Sequence, residues 1–317
     1  MSPARPGRPV RVQLKTGSTW QDAGTTKQNE SGDVVFRVAH FSGKGREAAD
    51  YRVVALTSNG AKRFNSASVS ADVGGEPDFT DTFDGKRLGP EWKLIDPEYG
   101  GVANRGCSKT SGKAVRVKGG VVNLKVMLDK TARKCKVQGK YYWRRLNGNI
   151  ATRGNYDFKY GFAAARVRFQ PLRGQHGAFW LFSNETDRTE VDVAEWFGKQ
   201  NPSRLENNIY WRGKGGKIRE GGPLRNADQY LEGKGDSWWG RYHVFSLEWT
   251  PKRYIFRIDG QETFRTYRGI SHQDEYLRLS LIASDYELKY MDETKLPQSM
   301  DVDWVRVWSK DATVKGG

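Results

Sequence analysis

The sequence predicts an all-β protein in two parts: a small immunoglobulin- or fibronectin-III-like β-sandwich over residues 1–75, then a β-jelly-roll built as a two-sheet sandwich over 76–310, with a short tail at 311–317. Three observations carry this reading. Short runs of alternating apolar and polar residues recur along the whole chain, and no window of a dozen residues holds a 3.6-residue period. The pattern is interrupted at Val73-Gly-Gly-Glu-Pro-Asp78, where Gly-Gly followed by proline extends neither a helix nor a central strand.

In the first part the strand-like runs are Val10-Arg-Val-Gln-Leu14, Asp33-Val-Val-Phe-Arg-Val38 and Asp50-Tyr-Arg-Val-Val-Ala-Leu56. Turn residues at Ser31-Gly32-Asp33, Ser42-Gly43-Lys44-Gly45 and Ser58-Asn59-Gly60 separate them at the spacing of a small sandwich. In the second part the runs are Ala114–Val117, Val121–Val126, Phe162–Phe169, Phe245–Trp249, Tyr254–Ile258 and Val302–Trp308. A β-domain of this length exceeds an immunoglobulin sandwich and suits a jelly roll or barrel. No internal repeat is evident.

Composition narrows the function classes. The chain of 317 residues carries 53 Lys plus Arg against 37 Asp plus Glu, a net charge of +16 that attracts anionic partners. Residues 1–75 hold eleven basic and six acidic residues, so the charge belongs to neither part alone. The basic residues are spread through alternating runs rather than blocked, which is the pattern of a solvated β face, and nucleic acid is not the expected partner. Eleven Trp exceed what a core of this size needs and make aromatic platforms for sugars or bases plausible. Two cysteines, Cys107 and Cys135, exclude a zinc cluster and leave either one disulfide or two thiols. No apolar run reaches the ~18 residues that span a bilayer, and the first residues contain no apolar signal core.

The informative segment is Thr189-Glu190-Val191-Asp192-Val193-Ala194-Glu195-Trp196. On a strand Glu190 and Asp192 share a face while Val191 points away. Glu195 breaks that parity and rejoins the acidic face only if a β-bulge absorbs one residue, Val193 or Ala194. Three aligned carboxylates repel one another, so the pattern marks either a fully solvated sheet or chemistry. Hydrolysis of a glycosidic bond needs two flanking carboxyl groups, ~5–5.5 Å apart when configuration is retained. A third, between them, raises the proton affinity of its neighbour.

These residues resemble glycoside hydrolase family 16, the laminarinase, agarase and carrageenase group. The resemblance spans about Phe79 to Trp308 and its pieces stand in family order: Phe79-Thr-Asp-Thr-Phe-Asp84, Tyr160-Gly161, Gly177-Ala178-Phe179-Trp180-Leu181, the acidic segment in its longer, bulged form, Tyr242-His243 to Trp249-Thr-Pro251, Ile258-Asp259-Gly260 and Val302-Asp303 to Trp308. It implies a retaining endo-glycosidase with Glu190 as nucleophile, Asp192 as assisting carboxylate and Glu195 as general acid/base. Two stretches depart from the laminarinase pattern. Ser280-Leu-Ile-Ala-Ser-Asp285-Tyr-Glu287 replaces an Asn-Leu-Ala-Val-Gly-Gly rim, and Gly174-Gln175-His176-Gly177 replaces a Trp-containing loop and brings a titratable group.

The expected sugar contacts are Asn208 and Tyr210, from the similar Asn-x-Tyr that follows the catalytic strand in relatives, with Trp180 and Trp211 as stacking platforms. Trp249, His243 and His176 are further candidates, each with core or surface packing as the alternative. Trp196 is assigned to the core by parity. The resemblance also implies a structural calcium in many relatives, with Asp303 as a candidate ligand, and no cofactor for catalysis. A secreted monomer acting on a β-linked polysaccharide, β-1,3-glucan first, is the expected whole, with no nucleic acid or membrane partner. The signal peptide would precede this chain. The alternatives are a galactose-based or anionic, sulfated polymer, or a carbohydrate-binding jelly roll without catalysis.

Overall fold

A computed structural model of the chain describes residues 5–16, 18–30, 32, 34, 49–66, 69–71, 77–183, 189–199, 205–213, 215–231 and 235–314. The chain divides into two compact units, Met1–Glu76 and Pro77–Gly317. The runs expected at Asp33–Val38 and Ser42–Gly45, and most of the interruption at 73–78, lie outside the described residues.

The first unit contains a five-stranded antiparallel sheet with Pro9–Thr16 at its centre, flanked by Thr19–Lys27 and Ala49–Ala55. Val10, Val12, Tyr51, Val54 and Ala55 are its buried apolar residues; alternation holds from Val10 to Val12 and breaks where the adjacent Val54 and Ala55 are both buried. On the polar side Arg52 donates to Gln13 Oε1 at 2.8 Å, and its guanidinium lies 4.4 Å over the Trp20 ring.

In the second unit, hydrogen bonding runs through twelve principal strands. They are β1 (Val122–Asp129), β2 (Arg144–Ala151), β3 (Tyr156–Arg168), β4 (His176–Ser183), β5 (Glu190–Trp196), β6 (Leu205–Gly213), β7 (Gly216–Pro223), β8 (His243–Thr250), β9 (Arg253–Ile258), β10 (Gln261–Thr266), β11 (Glu275–Ile282) and β12 (Gln298–Val314). Their order is β7-β6-β5-β4-β11-β2-β1-β12-β3-β8-β9-β10. The pairings among these principal strands are antiparallel; the parallel exception is the short strand Ser108–Thr110 beside β2. The only helices among the described residues are 3-10 turns of three or four residues, as the missing 3.6 period requires. None is long and apolar enough to cross a membrane.

One core lies between two layers. Val191 and Val193 of β5 with Leu205 and Ile209 of β6 share it with Phe245, Leu247 and Trp249 of β8 and Phe256 and Ile258 of β9. Each fully buried valine or leucine there contributes about 2 kcal/mol by leaving water. Trp196 is in this core, its indole donating to the Gln170 carbonyl at 2.7 Å. Trp249 is there too: 1% exposed, packed edge-on to Phe158 and Tyr160, with its N–H on the Ser271 carbonyl at 3.1 Å. The expectation of Trp249 at the substrate is therefore corrected. It stands on the apolar side of β8, where no sugar reaches it.

Cys107 and Cys135 form a disulfide across a Cα separation of 5.6 Å. It ties the hairpin of Cys135–Val137 and Lys140–Tyr142 to the segment preceding Ser108–Thr110. Asp303 is the residue expected as a calcium ligand. Asp303 is taken up by the Arg166 guanidinium at 2.6 Å, and no group of three His, Cys, Asp or Glu suited to a metal exists among the described residues. Because the disulfide closes a loop of sequence separation 28, reducing it should cost about 3 kcal/mol and lower Tm by about 10 °C. Calorimetry with and without a thiol reductant checks this; an unchanged midpoint would show that the bridge constrains little of the unfolded chain.

Candidate active site

Cross-strand register sets the site. Between Asp192 and Glu195 the pairing of β5 shifts, so that Val193 and Ala194 together oppose Asn207 of β6, and the same slip appears against Phe179 and Trp180 of β4. The bulge falls on the residues that parity required. Its consequence is that Val191, Val193 and Ala194 enter the core while Glu190, Asp192 and Glu195 all stand on the other face. The carbonyl of Val193 loses its ladder partner there, and the Asn207 side chain supplies one, donating through Nδ2 at 2.6 Å. The Asn207 Oδ1 in turn accepts from the Thr263 hydroxyl of β10 at 2.9 Å, a strand of the opposite layer. Asn207 escaped sequence reasoning because its parity points it away from the acidic face; only a bulge needing a hydrogen bond calls for it.

Directly opposed residues share a face, and this places three rows across the acidic side of the sheet. Arg219, Tyr210, Glu190, Phe182 and Tyr276 form one; Gly221, Asn208, Asp192, Trp180 and Arg278 the next; Pro223, Glu206, Glu195, Ala178 and Ser280 the third. Asn208, Tyr210 and Trp180 thus stand with the carboxylates, as expected. The Asn208 amide donates to Glu195 at 2.9 Å and to Glu206 at 3.0 Å. Arg219 donates to Asn208 Oδ1 at 2.9 Å and to Glu206 at 2.7 Å. Lys217 lies 3.5 Å from Glu190 and 4.0 Å over the Tyr210 ring. Trp180 is 7% exposed, its indole N–H on Ser280 Oγ at 3.1 Å and the Arg278 guanidinium 3.9 Å over its ring. Glu206, Lys217, Arg219 and Arg278 were not anticipated. Glu206 was legible in principle, two residues before Asn208 and therefore on its face.

Two expected contacts lie elsewhere, and a third, His176, is on the acidic face beside Glu195 but buried. Trp211 alternates away from Tyr210 and packs on the core, its ring so close to Gly269 (φ +63) that a β-carbon there would collide with it. His243 belongs to β8 in the other layer, buried between Asp259 at 2.7 Å and Asp236 at 3.4 Å. His176 is not a surface turn residue: it is buried at the start of β4, stacked on Phe197, with Nδ1 2.7 Å from a Glu287 carboxylate oxygen. Burial alone would pull its pKa down, but the Glu287 carboxylate more than offsets this, and the net shift is upward.

The carboxylates differ in their surroundings. The Glu190 side chain is one quarter exposed, whereas Asp192 is 3% exposed. Burial, followed by the charges of Glu195 and Glu190, raises the Asp192 pKa well above the ordinary carboxylate range. Burial also raises Glu195, with Glu206 and Glu190 adding to the shift while His176 and the Asn208 amide oppose it. Asp192 and Glu195 titrate as neighbours, and both hold a proton more tightly than a solvated acid does.

Two packed β layers, one with a bulged acidic strand, place this unit among the β-jelly rolls. Within that class, residues 106–306 match the family model "Glycosyl hydrolases family 16", and the chain belongs to that family. The beta-glucanase of Fibrobacter succinogenes is 28% identical over 163 residues, which is 48% of this chain and 44% of that protein, so the match spans less than half of the relative's length. The laminarinase catalytic domain of Thermotoga maritima MSB8 superposes with a TM-score of 0.59 at 19% identity, covering 74% of this chain and 98% of that one. The endo-beta-1,3-glucanase of Pyrococcus furiosus gives 0.59 at 18% identity, covering 74% and 94%. At such identity the solved structures bear on the fold.

Two outcomes follow. Asn207→Ala should leave the carbonyl of Val193 unpaired, at a stability cost of about 1–3 kcal/mol, and should lower kcat more than it raises KM because Glu195 loses its aim; equal kcat with a lower Tm would make Asn207 purely structural. Asp192 and Glu195 bind a proton more tightly folded than unfolded, so their contribution to stability is complete below the unfolded pKa near ~4 and is lost as pH rises through the raised folded values. Asp192→Asn should therefore raise Tm at pH 8 relative to wild type more than at pH 4; an equal change at both pH values would contradict the raised proton affinity of Asp192.

Proposed function

We propose that the chain is a retaining endo-glycosidase of β-linked polysaccharide, with β-1,3-glucan the first candidate linkage and Glu190 and Glu195 as the reacting pair. The observation that carries this is one strand face on which Glu190 and Glu195 are both partly exposed, with buried Asp192 between them: Glu190 lies beside the Lys217 ammonium, and Glu195 has its proton affinity raised by burial and like charge. Hydrolysis with retention asks for those two kinds of carboxyl group at one bond. A solvated acidic sheet, the bland alternative, would leave all three exposed, whereas Asp192 is buried, and a sugar-binding jelly roll has no use for aligning them at this electrostatic cost. The names of the relative and of the solved neighbours, a beta-glucanase, a laminarinase and an endo-beta-1,3-glucanase, support the substrate class.

In the first step Glu195 donates its proton to the glycosidic oxygen as the Glu190 carboxylate attacks the anomeric carbon. The leaving chain departs as an alcohol and a glycosyl ester forms on Glu190. Glu195, now ionised, takes a proton from water as that water attacks the ester, restoring both groups. Asn208 holds the Glu195 carboxylate in place, and Arg219 with Glu206 holds Asn208. Burial supplies the larger part of the proton affinity that Glu195 needs near neutrality. The disulfide suits an oxidising, extracellular setting, which is where such a polymer is met.

Reducing-end release from β-1,3-glucan, mixed-linkage glucan, agar, carrageenan and β-1,3-galactan identifies the linkage, and NMR of the first-formed anomer identifies the stereochemistry. Glu190→Gln should lose several orders of magnitude in kcat with Tm preserved; more than a tenth of the activity remaining would remove Glu190 from the role. Glu195→Ala should keep most of its kcat/KM on substrates with good leaving groups, lose kcat because water then lacks its base, and regain kcat with azide, which leaves as a β-glycosyl azide. Equal losses on good and poor leaving groups would overturn the acid assignment.

A further inference from the structure

The most basic stretch of the second unit takes no part in the site described above. Residues 130–145 hold seven Lys or Arg and no Asp or Glu, with Tyr141, Tyr142 and Trp143 among them. They form the hairpin of Cys135–Val137 and Lys140–Tyr142, turned at Gln138 and Gly139, whose positive φ values of 48 and 84 degrees are those of a tight two-residue hairpin turn. Register sorts its side chains. Cys135 opposes Tyr142 and faces inward with Val137, carrying the disulfide. Lys136 opposes Tyr141 on the outer face, and Lys134 and Trp143 continue that parity.

The outer face thus presents two lysine and aromatic pairs, Lys134 Nζ 4.9 Å over Trp143 and Lys136 Nζ 5.7 Å over Tyr141, with Tyr141 67% exposed. Neither lysine has an ion-pair partner among the described residues. The hairpin is held rigidly: by the disulfide, by Arg144 bridging the Arg133 carbonyl at 3.1 Å and the Gly106 carbonyl at 3.1 Å, and by the Tyr99 ring beneath that guanidinium. It is also joined to the acidic face. Gly106 and Cys107 give their N–H groups to Asp285 at 2.8 and 3.0 Å, and the neighbouring Arg105 and Tyr286 lie in the fields of Glu190 and Glu195.

We propose that the outer face of this hairpin is a subsite for a polysaccharide bearing sulfate or carboxylate groups, continuing the acidic face along the polymer. The inference rests on the polysaccharide reading and adds to it the charge of the substrate rather than its linkage. Each aromatic ring offers a platform for the apolar face of a sugar, and the ammonium beside it meets an anionic substituent. An unpaired cation on a rigid support loses little entropy on binding, which is what a built subsite requires and a scattered basic surface lacks. Single-stranded nucleic acid meets the same chemistry, but the covalent and hydrogen-bonded path from Cys135 to Arg105 favours the polymer that the acidic face would cleave.

The test is binding by the wild-type chain to dextran, dextran sulfate and carboxymethyl-dextran of matched length, at several salt concentrations. Dextran is α-linked, so a β-glycanase leaves it intact, and the result stands whether or not Glu190→Gln abolishes turnover on β-glycans. The expected result is tighter binding to one or both anionic dextrans than to dextran, weakened by salt, and reduced at least tenfold in K134E/K136E with Tm unchanged. Loss for dextran sulfate alone assigns sulfate as the group; loss for both assigns anionic sugars in general. Should the double reversal fold poorly, K134Q/K136Q and Tyr141→Ala replace it, with a smaller loss expected. Unchanged affinity in all of these variants would overturn the subsite. So would equally tight binding of a single-stranded polynucleotide lost through the same substitutions, which would make the surface a nucleic-acid one.

Discussion

The slip at Val193 and Ala194 is the constraint on which the site depends. A regular strand has a period of two, so it cannot bury Val191 and Val193 and still bring both Asp192 and Glu195 to the opposite side with one more residue between them. One extra residue resolves the conflict, and its cost is an orphaned carbonyl that must be answered from somewhere. Asn207 answers it, and Thr263, from the far layer, holds Asn207. The acid's orientation is thereby tied to packing between layers. The two valines that stabilise the sandwich and the carboxylates that face outward are alternate residues of one segment, so neither can be moved independently.

Burial then does chemical work at an energetic cost. Taking Asp192 out of water and Glu195 partly out of it opposes their ionisation, and the charge of Glu190 on both, with Glu206 on Glu195, opposes it further. The fold tolerates this because the surrounding polar atoms are organised around the carboxylates: the Asn208 amide spans Glu195 and Glu206, and Arg219 neutralises Glu206 from the edge strand. His176 with Glu287 adds a compensating charge beside Glu195. Strain of this kind is characteristic of sites where reactivity is favoured over stability.

What was legible in the sequence followed side-chain periodicity. Strands with clean alternation, such as β1 and β8, and the bulged acidic strand β5 could be read because one face is apolar and the other is not. β2 could not, since Arg145, Asn147 and Asn149 are buried polar residues there and break the pattern that marks a strand. The edge strand β7 was unreadable for the opposite reason, glycine and charge with almost nothing to bury. Among site residues, parity sorted Asn208 and Tyr210 correctly and placed Trp196 in the core. It failed for Trp249 and His243 because shared parity along β8 does not say which layer the strand joins. Trp211 was misplaced although its alternation with Tyr210 already pointed it away. The hydrogen bonds of Asn207, Arg219 and Arg278 depend on which strands become neighbours, and that is a property of topology.

The position of β7 at the end of the sheet has a consequence for how the protein behaves in a crowded solution. A sheet edge offers unpaired N–H and C=O groups to any other strand, and copies of one chain are the nearest supply. Here the edge alternates Lys217, Arg219 and Gly221 on one side and closes with Pro223, a residue with no N–H to give. The same cations that contact Glu190 and Glu206 therefore keep like-charged edges apart. A variant that neutralised them to suit a different ligand would be exposed to strand-to-strand association, and poor yield from such a variant would report on the edge before it reported on catalysis.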